Sequence, residues 1–361
     1  MGTGKGLTIA VLGAGHWGPN LIRNFHDASS SKVAWICETD PERRRAMGAA
    51  YHDIKITHDP MRILDDPAVD AVVIATPSAT HYRLAEAALK AGKHVLVEKP
   101  MCTDLQDARR LQTLAVRMRR KLMVGHVFLF HPAIQVAKQM LQQNALGRLL
   151  YLYSIRTNLG PIRNDVNALW DLGAHDISIF QYWLGHQPSR VRGVGSSFIN
   201  PPVEDIVFAT LHFPESVLAN LHVSWLDPKK VRQIVIVGSQ KMLVFDDRDT
   251  QHPLKLFDKN VGENLSRNRV NDTIQLFRKS IVEGAVQYPE VPEAEPLALQ
   301  CQAFRDWILH EKVPDSDGVF GVKVVETLTR ISHAMKANDE SHLTPYFENT
   351  SDDLLPLTPQ A

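Results

Sequence analysis

The chain has 361 residues, long enough for two domains with separate cores. At 44% hydrophobic and 22% charged, with no low-complexity tract, it has the composition of an ordinary globular protein. Forty basic residues balance forty acidic ones, so no overall field attracts nucleic acid or an anionic membrane, and neither is expected as a partner.

Residues 7–13 form a short apolar run stopped by glycine, the pattern of a buried parallel strand. The hexad Gly13-Ala14-Gly15-His16-Trp17-Gly18 follows at once and opens an amphipathic segment with Leu21, Ile22 and Phe25 on one side. In that context Gly13 permits a tight turn, Gly15 lets backbone approach a pyrophosphate, and Gly18 lets helix and strand pack closely. The helix start then offers unpaired N–H groups to phosphates. Val33–Cys37 reads as the second strand and ends in Glu38, where an acid binds the adenosine ribose hydroxyls. A carboxylate there repels the extra phosphate of NADP, so NAD is the expected cofactor, with Arg43 and Arg44 near enough to soften the preference.

Strands over 71–75, 95–97 and 122–124 alternate with helices over 80–90 and 104–120, the latter capped by Thr103 or Asp104. This repetition predicts a doubly wound parallel sheet over residues 1–125. The basic run Arg117 to Lys121 falls at a helix end, where cations offset the dipole. Beyond residue 147 the rhythm changes. Strand-like segments at 149–156, 190–198, 206–213, 217–225, 231–237 and 241–246 are separated by short turns, with one helix over about 168–183. Residues 126–336 are therefore expected to form an α+β domain with an open, mostly antiparallel sheet. Its late helices, 296–312 and 319–336, are expected to pack back on the first domain, leaving 337–361 as a tail, either an ordered arm or a frayed end.

Cys37, Cys102 and Cys301 are widely spaced with no CxxC, which fits a reducing compartment rather than a disulfide framework. No run approaches the roughly 18 apolar residues of a membrane span, and a cytoplasmic location is expected. The Gly2–Gly6 stretch lacks P-loop spacing, the pattern of a secretory signal, and the Ser or Thr at position 6 that myristoylation requires; it reads as a disordered lead.

Three further segments carry chemistry. Ala75-Thr76-Pro77-Ser78-Ala79-Thr80-His81 and Glu98-Lys99-Pro100 both end strands at the edge where open α/β sheets bind ligands. Trp170-Asp171-Leu172-Gly173-Ala174-His175-Asp176 lies on the helix of the second domain, where Asp171 and His175 are four apart and share a face. Oxidising a secondary alcohol needs a proton acceptor while hydride leaves for a nicotinamide. His175, with an ordinary pKa of about 6.5, suits that task, and Asp171 is placed to orient it. Lys99 can bond the reacting oxygen and favour developing alkoxide charge, and is the alternative acceptor. His81 and His126 sit at strand ends on the same edge, His81 lining the nicotinamide pocket, while His131 before Pro132 reads as loop scaffolding. No histidine pair has metal-ligand spacing with a third partner, so no catalytic metal is expected.

With these motifs in this order, the sequence over about residues 7–335 resembles the Gfo/Idh/MocA oxidoreductases, the glucose–fructose oxidoreductase and inositol dehydrogenase family. The resemblance implies NAD(P) bound between a Rossmann domain and a sheet domain. It implies Lys99 and His175 as catalytic groups with Asp171 beside them, and a homodimer or homotetramer formed through the sheet. Many members read His-x-x-Asp where this chain has His175-Asp176-Ile177-Ser178, so Asp176 or Ser178 is the candidate for that acid's substrate role. Residues 13–25 and 165–171 resemble members of nucleotide-sugar and surface-polysaccharide pathways, which oxidise a hexosamine at C3 or reduce 3-keto sugars. Arg156, Arg163 and Asn167 are then candidates for a pyrophosphate or sugar hydroxyls. The expected reaction is NAD-dependent 3-dehydrogenation of a UDP-N-acetylhexosamine. A polyol or inositol dehydrogenase is the first alternative, and a silent NAD-binding sensor the second.

Overall fold

A computed structural model describes residues 6–261 and 281–339. The Gly2–Lys5 lead and residues 340–361 of the expected tail lie outside the described residues.

Six strands, β1 (Leu7–Leu12), β2 (Ser31–Cys37), β3 (Lys55–Thr57), β4 (Ala71–Ile74), β5 (His94–Glu98) and β6 (Leu122–Gly125), form a parallel sheet in the order β3-β2-β1-β4-β5-β6. β1, β4 and β5 are almost wholly buried because helices cover both faces, which is why they read as continuous apolar runs. The covering helices are α1 (Gly18–His26), α2 (Pro41–Ala50), α3 (Met61–Leu64), α4 (His81–Lys90) and α5 (Leu105–Met118). Asp104 caps α5 by accepting from the Asp107 N–H, and Asp40 caps α2 in the same way. Strand order reverses at β1, so a crevice opens over the carboxyl ends of β1 and β4.

Helix α6 (Pro132–Gln142) leads into an eight-stranded sheet in the order β14-β13-β12-β11-β7-β10-β9-β8. Its strands are β7 (Leu149–Thr157), β8 (Arg190–Ser196), β9 (Ile206–His212), β10 (Leu218–Ser224), β11 (Val231–Gly238), β12 (Met242–Asp246), β13 (Leu254–Val261) and β14 (Ile281–Gln287). Only the β7–β10 pairing is parallel; the other pairings are antiparallel. One face buries Leu152, Ser154 and Arg156 of β7 beneath α7 (Ala174–Leu184), while Tyr151, Phe208 and Leu218 are exposed. Two-residue alternation accounts for the strand signals of β8, β9 and β10, whereas β11 and β12 bury three consecutive residues and read as apolar runs.

Two helices, α8 (Pro296–His310) and α9 (Gly318–Asp339), return to the first sheet. Phe304 of α8 meets Phe25 of α1 edge-on at 6.4 Å, and Arg109 of α5 bonds Glu326 of α9 at 3.2 Å. From the other side Gln181 of α7 donates to the Thr327 hydroxyl of α9 at 2.7 Å. α9 thus straps both sheets together and fixes the cleft between them.

Candidate active site

The fingerprint has the geometry a dinucleotide needs. Gly13 has φ +95°, and a Cβ there would lie 2.6 Å from the Ala75 carbonyl oxygen. A Cβ on Gly18 would lie 2.1 Å from the Gly13 oxygen, so strand and helix touch backbone to backbone. No side chain caps α1, which leaves its first N–H groups directed at the cleft. His16 and Trp17 line the cleft beside them. Glu38, 6% exposed, accepts from the N–H of Ala14 at 2.7 Å and of Asp40 at 2.9 Å, so its carboxylate is fixed before any ribose arrives. Arg44 turns away to the carbonyls of Glu38 and Thr39, whereas Arg43 lines the cleft. The residues present therefore fit a bound NAD.

From the fingerprint the cleft runs past Thr76, Pro77 and Lys99 to His175, Arg232 and Asp247, with a volume of about 1320 Å³. A site for one small molecule takes roughly 300–1,000 Å³, so cofactor and substrate fit side by side.

Lys99, at the end of β5, crosses to the second domain. Its Nζ donates to the main-chain oxygen of Asp171 at 2.7 Å and to its Oδ1 at 3.1 Å. The same carboxylate accepts from Arg163 at 3.3 Å and from the Trp225 indole at 3.2 Å. Burial opposes its ionisation, but the Lys99 and Arg163 charges outweigh burial and hold its carboxyl below the ordinary range. Asp171 therefore anchors Lys99 rather than orienting His175, as the sequence had suggested. A wide π-type turn over Leu169–Gly173 precedes α7, so the four-residue spacing does not act as it would in a regular helix.

His175 lines the same cleft, its ring edge-on to Phe128 at 5.0 Å and its buried Nδ1 without a hydrogen-bond partner. Burial, then the charges of Lys99, Arg156 and Arg232, push its pKa well below the ordinary 6.5. The imidazole is neutral near pH 7 and free to accept a proton.

His81 lines the cleft with both ring nitrogens held by main-chain oxygens. Its Nδ1 lies 2.8 Å from the Pro100 oxygen and its Nε2 2.8 Å from the Thr76 oxygen, so it ties the two ligand-edge loops together. Thr76 in turn meets Thr80, hydroxyl to hydroxyl, at 2.7 Å. Glu98 lines the cleft beneath Lys99, and burial pushes its carboxyl up to about 7.

Two residues expected to meet substrate do not. Asp176 is 1% exposed and holds Arg156, itself 3% exposed, through contacts of 2.8–3.1 Å. The pair is a buried brace between α7 and β7, and Arg156 also stacks 4.5 Å over Phe128. Arg156 reaches the cleft only as part of that brace. Asn167 caps the turn before α7, accepting from the Trp170 N–H and donating to Glu204 at 2.8 Å. Arg163 does line the cleft, between Asp165 and Asp171.

The sequence reading missed Phe128, Trp225, Arg232 and Asp247. His131, read as loop scaffolding, caps α6 through the Ala133 N–H and stacks against Phe128. None of these carries a local motif; topology alone brings them to the site. Among the described residues no group of three or more His, Cys, Asp or Glu is placed to hold a metal ion, and no helix is long and apolar enough to cross a membrane.

Comparison with known proteins agrees with this architecture. Residues 7–126 match the model described as oxidoreductase family, NAD-binding Rossmann fold, and residues 134–244 match the GFO/IDH/MocA C-terminal domain. The chain is similar to inositol 2-dehydrogenase 2 of Saccharopolyspora erythraea, 32% identical over 60% of this chain and 66% of that protein. It is also similar to the UDP-N-acetylglucosamine 3-dehydrogenase of Acidithiobacillus ferrooxidans, 27% identical over 92% of this chain and 98% of that one. A crystal structure of the latter superposes with a TM-score of 0.75 at 25% identity, covering 92% of this chain and 98% of that one. The chain is a member of the Gfo/Idh/MocA family, an NAD-binding oxidoreductase whose relatives are named dehydrogenases of alcohol groups.

Proposed function

We propose that this protein oxidises a secondary alcohol of a nucleotide-activated sugar, C3 of a UDP-N-acetylhexosamine, in surface-polysaccharide or lipopolysaccharide precursor synthesis. The observation that carries the chemistry is the meeting of Lys99 and His175, from different domains, in one cleft with the fingerprint. Similarity along almost the full length to a UDP-N-acetylglucosamine 3-dehydrogenase supports the substrate class.

Bound NAD supplies the hydride acceptor, nicotinamide C4. The Lys99 ammonium has three N–H donors; two are spent on Asp171, and the third is available to the substrate oxygen. That bond strengthens as the oxygen gains negative charge, so it favours the transition state over the ground state. His175 takes the hydroxyl proton, the C–H electron pair leaves as hydride, and a ketone remains. Phe128 lines the cleft edge-on to His175 and shields it from water. Arg163 lies beside the reacting oxygen's expected position and suits a sugar hydroxyl. The exposed face of the eight-stranded sheet, with Tyr151, Phe208 and Leu218, is the surface through which a homodimer or homotetramer would form.

Inositol or polyol oxidation is the second reading, favoured by 32% and 30% identity to inositol dehydrogenases over parts of the chain. A silent NAD sensor is disfavoured by the complete Lys99, Asp171 and His175 set. The test is incubation of purified protein with NAD and a panel of UDP-sugars, dTDP-sugars and polyols, following absorbance of the reduced cofactor. Turnover of UDP-N-acetylglucosamine with little turnover of the free sugar is expected. Equal turnover of free inositol overturns the nucleotide-sugar reading, and NAD binding with no turnover of any panel member overturns both enzymatic readings.

A further inference from the structure

At the far end of the cleft from the fingerprint stand His131, Arg232 and Asp247, all three part of its lining. Asp247 is fixed twice over by one residue. Its N–H donates to the Arg232 main-chain oxygen at 3.0 Å, and its Oδ2 accepts from the Arg232 guanidinium at 3.0 Å. Asp247 thereby neutralises Arg232, so the pair presents polarity without net charge. His131 is held as firmly. Its Nδ1 accepts from the Ala133 N–H at 3.1 Å, and its ring packs near-parallel to Phe128 at 6.4 Å and edge-on to Phe245 at 5.3 Å.

An Nδ1 that accepts leaves the ring proton of this neutral imidazole on Nε2. The Nε2–H is thus a donor and the Asp247 Oδ1 an acceptor, 4.0 Å apart. That is too long for a direct hydrogen bond, and neither atom bonds any other described residue. A hydroxyl oxygen roughly 2.8 Å from each closes the gap, accepting from His131 and donating to Asp247. A carboxylate has no proton to give Asp247, and an ammonium has no lone pair for His131, so the slot suits a neutral hydroxyl. Phe128 ties the slot to the chemistry. The same ring meets His175 edge-on at 5.0 Å, so both imidazoles belong to one wall of the cleft.

We propose that His131 and Asp247, with Arg232 behind the carboxylate, form a subsite that reads one hydroxyl of the sugar other than the one oxidised. This deepens the preceding reading and rests on it. Lys99 and His175 act on the reacting hydroxyl, and the subsite fixes which way round the ring lies. The carbon that meets the nicotinamide is then set by a second hydroxyl, not by the catalytic pair alone. A substrate lacking that hydroxyl leaves a donor and an acceptor in the cleft unpaired, which costs more than the bonds themselves.

The test compares kcat/KM for UDP-N-acetylglucosamine with that for its 4-deoxy and 6-deoxy analogues, with NAD saturating. At least one analogue is expected to fall roughly tenfold or more below the parent. His131→Asn keeps a side-chain acceptor to cap α6 but withdraws the Nε2–H. Asp247→Asn keeps an oxygen for Arg232 and turns the free acceptor into a donor. In each variant the parent is expected to lose more than that analogue, bringing their ratio to within about threefold of unity. A general loss of folding lowers both substrates alike and leaves the ratio where it was. Turnover of both analogues at the parent's rate, or an undiminished ratio in either variant, overturns the subsite while leaving nucleotide-sugar oxidation standing. A wild type that turns over none of the three overturns both.

Discussion

The Lys99 ammonium reaches out of the first domain and donates to both the main-chain oxygen and the carboxylate of Asp171, at 2.7 and 3.1 Å. A residue of one domain is thus aimed by a residue of the other, and the aim depends on the closed arrangement of the two sheets. Asp171→Asn keeps the main-chain acceptor but removes the charge that also holds Arg163 and Trp225. Steady-state kinetics are expected to show kcat reduced by roughly 10- to 100-fold with the NAD KM nearly unchanged, because the loss falls on the transition state.

As the proposed proton acceptor, His175 sets the expected pH dependence of the reaction. Burial and three neighbouring cations lower its pKa from 6.5, so the neutral form that accepts a proton persists below the ordinary histidine range. Activity through this base is lost as pH falls through the depressed value, not through 6.5. The acid limb of kcat/KM is expected on the acid side of 6.5, and Arg232→Gln, which removes one of the depressing charges, should move it up. An acid limb that ignores the Arg232 charge would separate this base from the observed ionisation.

The Arg156–Asp176 brace is buried on both sides, with side-chain exposures of 3% and 1%. Asp176→Ala leaves a buried guanidinium unmatched and is expected to cost about 3–5 kcal/mol in urea unfolding. The double replacement Arg156→Met with Asp176→Leu should recover much of that loss, since it removes both desolvated charges.

Much of the architecture was legible from the chain because its signals are local. A buried parallel strand writes a continuous apolar run, and the turn at Gly13 admits no side chain without striking Ala75. The second sheet wrote alternation in β8, β9 and β10, and short apolar runs in β11 and β12, where three consecutive residues are buried. What was not legible lacked such signals: β3 is three residues long, and α6 begins at Pro132 with a histidine cap. At the site, residue types were readable but directions were not. Asn167 is spent on the Trp170 N–H and Glu204, and Asp176 on Arg156, partners that residue spacing does not reveal. Arg232 acquires its partner from Asp247, just past the end of β12 and 15 residues later, a pairing that only the sheet register creates.

Glu38, fixed by the N–H groups of Ala14 and Asp40, is the proposed determinant of cofactor choice. Glu38→Ser opens space and removes the repulsion of a 2′-phosphate, with Arg43 already in the cleft to meet one. The ratio of kcat/KM for NAD over NADP is expected to fall at least roughly tenfold, equivalent to about 1.4 kcal/mol.

The most direct measurement is rapid-mixing formation of reduced cofactor by Lys99→Met, with NAD saturating and UDP-N-acetylglucosamine as substrate. The structure predicts that NAD binds within about twofold of wild type, because the fingerprint is untouched, while the hydride-transfer rate falls by at least roughly 100-fold. A Lys99→Met protein that binds NAD and transfers hydride at the wild-type rate would contradict the placement of Lys99 at the reacting oxygen.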